Sequence, residues 1–248
     1  MSWYKKTSEI IGKDFIKAYR ANIENTIKEV KFILSVTKLK PTSEILDLCC
    51  GIGRHSIEFA KDGYKVAGLD ISSAFLEIAK EKALSENVNI KWICDDMRSI
   101  PFENKFDLVT SIFGSWGYFE YEEENFKVFQ KVSNSLKKNG LFFFDFLNHD
   151  WIIKHFQPFG WRQEENFLFL EKREYDILSG THTSYATTYD LKSLEKKEWV
   201  VKVRGYTFSQ IKEMLQRANL DIISVYGDYD GRIFSLETPK MLILAQKK

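Results

Sequence analysis

The chain has 248 residues, of which 44% are apolar, and this length and composition suit one α/β domain with an insert better than two equal domains. Lys and Arg total 36 against 35 Asp and Glu, so no net charge attracts the protein to nucleic acid or to an anionic membrane. No apolar run approaches the roughly 20 residues that span a bilayer, and no apolar signal region follows the amino terminus, which predicts a cytoplasmic protein without a membrane partner.

The cysteines carry little functional signal. Cys49 and Cys50 are adjacent in an apolar stretch, and Cys94 ends another. Their spacing lacks the CxxC pattern of zinc and redox sites. We therefore expect buried thiols and no metal site.

The first 146 residues alternate predicted helices and strands. Ile27, Val30 and Leu34 fall at helical spacing, which predicts a helix over residues 21–38 that stops before Pro41. Strands are predicted at residues 45–49, 65–70, 89–94, 106–113 and 141–146. Such alternation produces a mostly parallel sheet with right-handed crossovers, so the predicted fold class is α/β, Rossmann-like and doubly wound.

Helix ends in this region carry their own signals. "RHSIEFAK" predicts the second helix, and Ser72 or Ser73 can cap the third. The helix predicted over residues 121–138 has glutamates in its first turn and Lys137 and Lys138 in its last. That charge order suits the helix dipole.

The region after the fifth strand breaks this pattern. Its aromatic and polar stretches alternate between turn signals, which predicts an inserted antiparallel β meander. A capping box of Thr207 and Gln210 then predicts another helix, and "LDIISVYG" and "MLILAQK" predict two last strands. The predicted organisation is an α/β domain with an inserted β lid, with bounds 1–146 and 207–248 for the domain and 147–206 for the lid.

The stretch "ILDLCCGIGRH" places a glycine loop after the first strand, at the edge where parallel sheets bind ligands. Gly51 and Gly53 let a ligand approach the backbone, and Asp70 ends the second strand near the offset at which an acid meets ribose hydroxyls. Asp96 and Met97 follow the third strand, where they can read and cover a purine. The pattern predicts a ligand that contains adenosine.

Asp47 and Ser56 add two further expectations. An unpaired carboxylate in an apolar strand is costly, so Asp47 is expected to accept hydrogen bonds from loop amides. Ser56 stands where the dinucleotide fingerprint requires its third glycine, and no GK[ST] run forms a P-loop. Both departures argue against a bound pyrophosphate.

The segments "ILDLCCGIGRHSIEFA", "GLDIS", "CDDMRSIPF" and "FDLVTSIFGSWGYF", in this order, resemble the class I S-adenosylmethionine-dependent methyltransferases. The resemblance implies a seven-stranded sheet with an antiparallel last strand, S-adenosylmethionine as cofactor and S-adenosylhomocysteine as product. Cys49 stands where the family often has glycine, which implies a loop slightly farther from the ligand. The implied cofactor-binding residues are Tyr4, Tyr19, Asp47, Cys49, Gly51, Gly53, Asp70, Ile71, Asp96, Met97 and Ser111.

The same resemblance implies what these residues bind. Asp47 and the backbone of the glycine loop would hold the methionine moiety, and Asp70 would take the ribose diol. Ile71 would cover the adenine, and Asp96 would read its edge. Ser111 would line the path towards the sulfonium, over which aromatic residues near the amino terminus would fold.

The segments "GYFEYEEENFKVF", "LNHDWIIKHF" and "VYGDYDGRIF" resemble small-molecule members of that class with a β lid after strand five. Sugar-amine N-methyltransferases and glycine N-methyltransferase are similar in architecture. The resemblance implies in-line methyl transfer to a nitrogen or oxygen of a small acceptor, with His149 and Tyr118 as candidate catalytic residues. The expected acceptor-binding residues are Trp116, Tyr118, Asn148, Arg204 and Tyr206.

Other readings stay open at this point. The aromatic rings could instead form a packed lid core, and Arg204 could pair with Glu171 or Glu174. Ser56 argues against an NAD(P)-dependent oxidoreductase. Near-zero net charge, and "SIFGSWGYF" in place of an [ND]PP[YF] run, argue against an RNA methyltransferase. A non-catalytic cofactor-binding module is a further alternative, and the expected oligomeric state is a monomer or a homodimer.

Overall fold

A computed structural model describes residues 3, 4, 6, 7 and 25–248 of the chain. Tyr19 and the first part of the helix predicted over residues 21–38 lie outside the described residues. The described part of that helix is α1, Thr26–Thr37. Within the described residues, no helix combines the length and apolar character needed to cross a bilayer.

The chain then alternates strands and helices as predicted. The helices are α2 Arg54–Lys61, α3 Ser73–Ser85, α4 Glu122–Ser135, α5 His149–Lys154 and α6 Phe208–Arg217. The strands of the first five crossings are β1 Glu44–Leu48, β2 Lys65–Asp70, β3 Ile90–Cys94, β4 Phe106–Ser111 and β5 Leu136–Leu147. The later strands are β6 Phe159–Glu164, β7 Phe167–Asp176, β8 Thr181–Asp190, β9 Lys196–Arg204, β10 Leu220–Tyr226 and β11 Lys240–Lys247.

The main sheet has seven strands in the order β10-β11-β5-β4-β1-β2-β3. Strands β1 to β5 pair in parallel, while β11 runs antiparallel to both β5 and β10. This confirms the predicted Rossmann-like α/β class with an antiparallel last strand. Because β1, β2, β3 and β4 run in the same direction, their carboxyl ends meet at one edge of the sheet.

Strands β6, β7, β8 and β9 form a second, antiparallel sheet, which we call the lid sheet. It confirms the predicted meander between β5 and α6. The structure adds two elements that the sequence pattern did not indicate, the short helix α5 and the strand β6.

Two predicted helix starts are confirmed, and one predicted helix end is wrong. The Ser72 hydroxyl accepts the amide of Phe75, and Thr207 forms a capping box with Gln210. Helix α4 stops at Ser135, so Lys137 and Lys138 belong to β5 and not to a last helical turn. The physical reason is strand pairing: Leu136 is already in register with Phe106 of β4.

Buried side chains fill both faces of the main sheet. Phe142, Phe144 and Phe146 of β5 pack with α4 and α6, whereas Phe143 packs with α1 and α2 on the opposite face. This is the alternation expected of a strand buried on both sides. The two apolar layers fix the strands and thereby the position of the loops at their carboxyl ends.

Candidate functional site

A cavity of about 430 Å³ lies at the carboxyl ends of the first five strands. Its walls come from the loops after β1, β2, β3 and β4, and from the end of β5. Val201 and Val203 of the lid sheet and Trp3, Tyr4 and Thr7 from the amino-terminal part close it. The volume falls within the range of roughly 300–1,000 Å³ typical of small-molecule sites.

Most of the predicted cofactor residues line this cavity. They are Tyr4, Asp47, Cys49, Gly51, Asp70, Ile71, Asp96 and Met97. Tyr118, a predicted catalytic and acceptor-binding residue, also lines it. Gly53 and Ser111 are buried behind the wall rather than in it. The structure therefore gathers residues that are up to 93 positions apart between Tyr4 and Met97.

The loop after β1 has a backbone conformation that favours glycine. Gly51 has φ 55° and Gly53 has φ 74°. A Cβ at Gly51 would have no atom within 4 Å, so its backbone faces open space beside the cavity. A Cβ at Gly53 would lie 2.5 Å from the Trp92 ring, so this position needs glycine for close packing of α2 on the sheet.

Cys49 also has a left-handed backbone, with φ 59°, and its Sγ lies 3.8 Å from Sδ of Met97. The loop thus keeps a glycine-like conformation at the position where the family often has glycine. Burial raises the pKa of the Cys49 and Cys50 thiols well above the ordinary value, so both stay protonated. The expectation that all thiols are buried is wrong for Cys94, which is exposed.

Asp70 ties the end of β2 to the glycine loop. Its Oδ2 accepts the amide of Gly51 at 2.8 Å, and its Oδ1 accepts the amide of Ser72 at 2.9 Å. Burial raises its pKa to about 6, although the amide hydrogen bonds work in the opposite direction. The carboxylate is charged at neutral pH and forms part of the cavity wall.

Asp47 is buried, but its partners differ from those expected. Its Oδ2 accepts the hydroxyl of Ser56 at 2.6 Å, and its Oδ1 accepts the hydroxyl of Thr110 at 3.2 Å. Hydroxyl groups therefore satisfy the carboxylate where loop amides were expected. Ser56, which breaks the dinucleotide fingerprint, serves to fix Asp47 between β1 and α2.

Asp96 is held by an arginine that the sequence analysis did not single out. The two carboxylate oxygens accept three hydrogen bonds from the Arg98 side chain and amide at 2.9 Å or less, and one more at 2.7 Å defines a bidentate pair. Arg98 also binds Glu124 and the hydroxyl of Tyr4, the latter at 3.2 Å. This network anchors the amino-terminal Tyr4 over the cavity.

Trp116 and Tyr206 do not line the cavity, which corrects their predicted acceptor-binding role. Both are buried, and their ring centroids lie 4.6 Å apart in the apolar core below α4. The indole of Trp116 donates to the carbonyl of Asn125 at 3.0 Å, and the Asn125 amide donates to the Tyr206 hydroxyl at 3.2 Å. The packed-core alternative is the correct one for these two rings.

Asn148 and Arg204 also have structural partners in place of a cavity position. Asn148 caps α5 and donates to the carbonyl of Thr238 at 2.7 Å, which ties the end of β5 to the loop before β11. Arg204 pairs with Glu122 at 3.1 Å, and not with either lid acid that had been considered. The helix α4 therefore supplies the partner of Arg204.

His149, the predicted base, lies between α5 and the lid sheet and not among the cavity-lining residues. Its Nδ1 is 3.2 Å from Nε2 of His182, and its Nε2 is 3.4 Å from the hydroxyl of Tyr175. Burial lowers the pKa of both histidines, that of His182 to about 4. The pair is neutral at pH 7 and joins β7, β8 and α5.

The structure reveals a polar end of the cavity that the sequence analysis missed. Asp145 of β5 lines the cavity, and its Oδ2 accepts the Tyr229 hydroxyl at 2.8 Å and the Phe113 amide at 3.2 Å. Arg54 and His55 line the cavity too, and both bind Glu29 of α1, at 2.6 and 2.8 Å. The available signal was an acid inside "LFFFDF", an otherwise apolar strand.

Asp145→Asn is expected to raise the unfolding temperature at about pH 8. Burial raises the pKa of Asp145 from 3.8 to about 6, against the opposing effects of Lys240, the Tyr229 hydroxyl and the Phe113 amide. The stability that the neutral carboxyl provides is complete below 3.8 and lost as pH rises through about 6. At about 1.4 kcal/mol for each pKa unit, the charged form costs up to about 3 kcal/mol.

Asparagine retains an oxygen for both hydrogen bonds, so the variant removes the charge and keeps the contacts. Thermal unfolding of both proteins between about pH 5 and pH 8 measures the difference, which should reach several degrees and shrink as pH falls. A variant less stable than the wild type at the upper pH would contradict the prediction.

Comparison with known proteins places these features in a family. Residues 45–140 match the family model described as a methyltransferase domain. YqeM of Bacillus subtilis (strain 168), which is named as a methyltransferase, is 26% identical over 213 residues that cover 84% of this chain and 86% of YqeM. The matched region contains the glycine loop, Asp70 and Asp96.

Solved structures share the fold. An S-adenosylmethionine-dependent methyltransferase from Clostridium acetobutylicum ATCC 824 has a TM-score of 0.84 at 21% identity, covering 98% of both chains. CalS10 from Micromonospora echinaspora, an amino pentose methyltransferase solved with S-adenosylmethionine bound, has a TM-score of 0.72 at 18% identity and covers 95% of this chain and 97% of its own. Since the family model, the fold and the strand-end motifs agree, this chain is a class I S-adenosylmethionine-dependent methyltransferase.

Proposed function

We propose that this methyltransferase transfers the methyl group to a nitrogen or oxygen of a small-molecule acceptor bound in the cavity beside the cofactor. The observation that carries the proposal is the convergence of Gly51, Asp70, Asp96 and Met97 on one cavity of about 430 Å³. The name of CalS10 gives an amino pentose as the acceptor of that protein, which supports a small acceptor here.

The chain's residues fit S-adenosylmethionine. Gly51 exposes backbone to the cavity, and Asp70 presents a carboxylate that would accept the ribose hydroxyls. Ile71 and Met97 offer apolar surface for the adenine, and Asp96 would accept from its amino group. The neighbouring carboxylate of Asp47 is satisfied by hydroxyls and would face the cationic methionine moiety.

The bound cofactor supplies a methyl group already activated by a sulfonium. The protein therefore has to hold the acceptor in line with that methyl group and exclude water, and such alignment can contribute roughly 7–11 kcal/mol. Tyr4, Tyr118 and Phe113 surround the cavity, and the lid valines Val201 and Val203 cover it. Aromatic faces of this kind stabilise a cation.

The proposal differs from the rival functions in measurable ways. An oxidoreductase would require NAD or NADP, but Ser56 binds Asp47 where a dinucleotide site needs glycine. An RNA methyltransferase would show RNA affinity that falls steeply with salt. A binding module would retain the cofactor without turnover of any acceptor.

Saturating S-adenosylhomocysteine is expected to raise the unfolding temperature, whereas NAD and NADP are not. A ligand at about 100 times its Kd stabilises the folded state by about 2.7 kcal/mol. For a chain of this size that corresponds to roughly 5–10 °C. Differential scanning fluorimetry measures the shift, and a shift with NAD in place of S-adenosylhomocysteine would overturn the proposal.

Turnover is tested separately, with methyl-labelled S-adenosylmethionine and a small-molecule extract of cells. Mass spectrometry should then find the label in a product of low molecular mass. Label found only in RNA would favour the nucleic-acid alternative, and cofactor binding without any labelled product would favour the binding module.

A further inference from the structure

Asp145 presents an unused oxygen to the cavity. Its Oδ2 takes both of its side-chain hydrogen bonds, from Tyr229 and Phe113. Among the described residues, no group donates a hydrogen bond to Oδ1 and no cation forms an ion pair with this carboxylate. The residue is only 5% exposed and forms part of the cavity wall.

The nearby cations are occupied elsewhere. Lys240 lies 3.5 Å from Asp228 and sits over the Tyr229 ring at 4.5 Å, and Arg54 pairs with Glu29 at 2.6 Å. The buried negative charge of Asp145 is therefore not matched by a direct partner from the described part of the chain. Such a charge is costly unless a ligand supplies the partner.

The backbone around Asp145 is strained in a way that fixes the wall. Phe113 has φ 71°, which is unfavourable for a bulky residue, and its amide binds the Asp145 carboxylate. The amide of Gly114 donates to the Asp145 carbonyl at 3.1 Å. Residues held in sparsely populated conformations cluster at ligand sites. The loop after β4 is thus fixed to Asp145 at the edge of the cavity.

These contacts alone do not require a charge. An asparagine would accept from Phe113 and Tyr229 equally well, and it would avoid the cost of burying a carboxylate. The use of an acid at this position points to a ligand group that carries, or develops, positive charge. A neutral hydroxyl would gain less from a carboxylate than an amine would.

We propose that Asp145 binds the amino group of the methyl acceptor, with Tyr229 orienting the carboxylate, so that the acceptor is a primary or secondary amine. This inference rests on the proposed function. An N–H of the acceptor donates to Oδ1, which leaves the nitrogen lone pair free to attack.

The chemistry balances without a further reactant. The nitrogen lone pair forms the new N–C bond while the C–S bond breaks, and the electron pair of that bond stays on sulfur. The nitrogen becomes positively charged and afterwards releases one proton to water. A fixed carboxylate beside the nitrogen stabilises the charge as it develops.

The test uses pairs of acceptors that differ only in an amino or hydroxyl group: glucosamine and glucose, glycine and glycolate, ethanolamine and ethylene glycol. Methyl transfer from labelled S-adenosylmethionine is measured with the wild type, Asp145→Asn and Tyr229→Phe. We expect transfer to amino compounds and not to their hydroxyl counterparts. Asp145→Asn should lower kcat/KM for the amine by about 100-fold, and Tyr229→Phe by less.

Affinity for S-adenosylhomocysteine is the fold control and should stay within about threefold of the wild type in both variants. Transfer to a hydroxyl compound, transfer to no amino compound although S-adenosylhomocysteine binds, or undiminished transfer by Asp145→Asn would each overturn the assignment of Asp145. A wild type that does not bind S-adenosylhomocysteine would instead contradict the proposed function.

Discussion

Asp70→Ala is expected to lower the affinity for S-adenosylhomocysteine by about 100-fold or more. The carboxylate would accept two ribose hydroxyls, and a hydrogen bond to a charged group contributes about 1.5–3 kcal/mol. The same carboxylate positions the Gly51 amide at 2.8 Å, so its removal also releases the loop. Isothermal titration calorimetry of the wild type and the variant measures the change in Kd.

The fold should survive this substitution. Burial raises the pKa of Asp70 to about 6, so the carboxylate is buried at a cost that alanine removes, and this offsets the two lost amide hydrogen bonds. Asp107→Ala is the matched control, because Asp107 also accepts a backbone amide, that of Glu44 at 2.8 Å, but lies at the opposite edge of the sheet. An unchanged Kd for Asp70→Ala would contradict the ribose assignment.

The cofactor edge of the cavity could be predicted from the sequence because its residues follow strands directly. Gly51, Asp70 and Asp96 each come within a few positions of a strand end, and parallel strands bring such positions together whatever the rest of the fold does. The roles implied for them stay predictions until cofactor binding is measured. Their placement needed only the strand pattern.

The acceptor side could not be predicted in the same way, because its contacts join distant segments. Trp116 and Tyr206 have the chemistry of a pocket wall, and only their contact with Asn125 places them in the core. His149 follows β5, yet its ring meets His182 on the lid sheet, 33 positions away. Sequence proximity to a strand end did not decide which way these side chains point.

Asp145 shows a different limit. An acid within a run of phenylalanines was interpreted as part of an apolar strand, although Asp47 occupies a similar position in β1 and was recognised. The difference is the glycine loop that follows Asp47 and draws attention to it. No such motif follows Asp145, whose partner Tyr229 lies 84 positions later in the chain.

Gly53→Ala is expected to destabilise the fold by about 2–4 kcal/mol. A left-handed backbone costs a residue with a Cβ roughly 1–2 kcal/mol, and overpacking costs about 1–3 kcal/mol more. The new Cβ would lie 2.5 Å from the ring of Trp92 and 2.9 Å from Cβ of Ala79, both of which are held by the packing of β3 and α3. Urea unfolding measures the loss.

Two variants separate strain from overlap. Gly63→Ala has a similar left-handed backbone, φ 89°, but open space around its Cβ, so it should cost only the backbone component. Combining Gly53→Ala with Trp92→Leu should recover part of the loss relative to Trp92→Leu alone, because the smaller side chain leaves room for the methyl group. If Gly53→Ala costs no more than Gly63→Ala, then close packing against Trp92 is not what requires glycine, and the loop conformation alone would explain the residue.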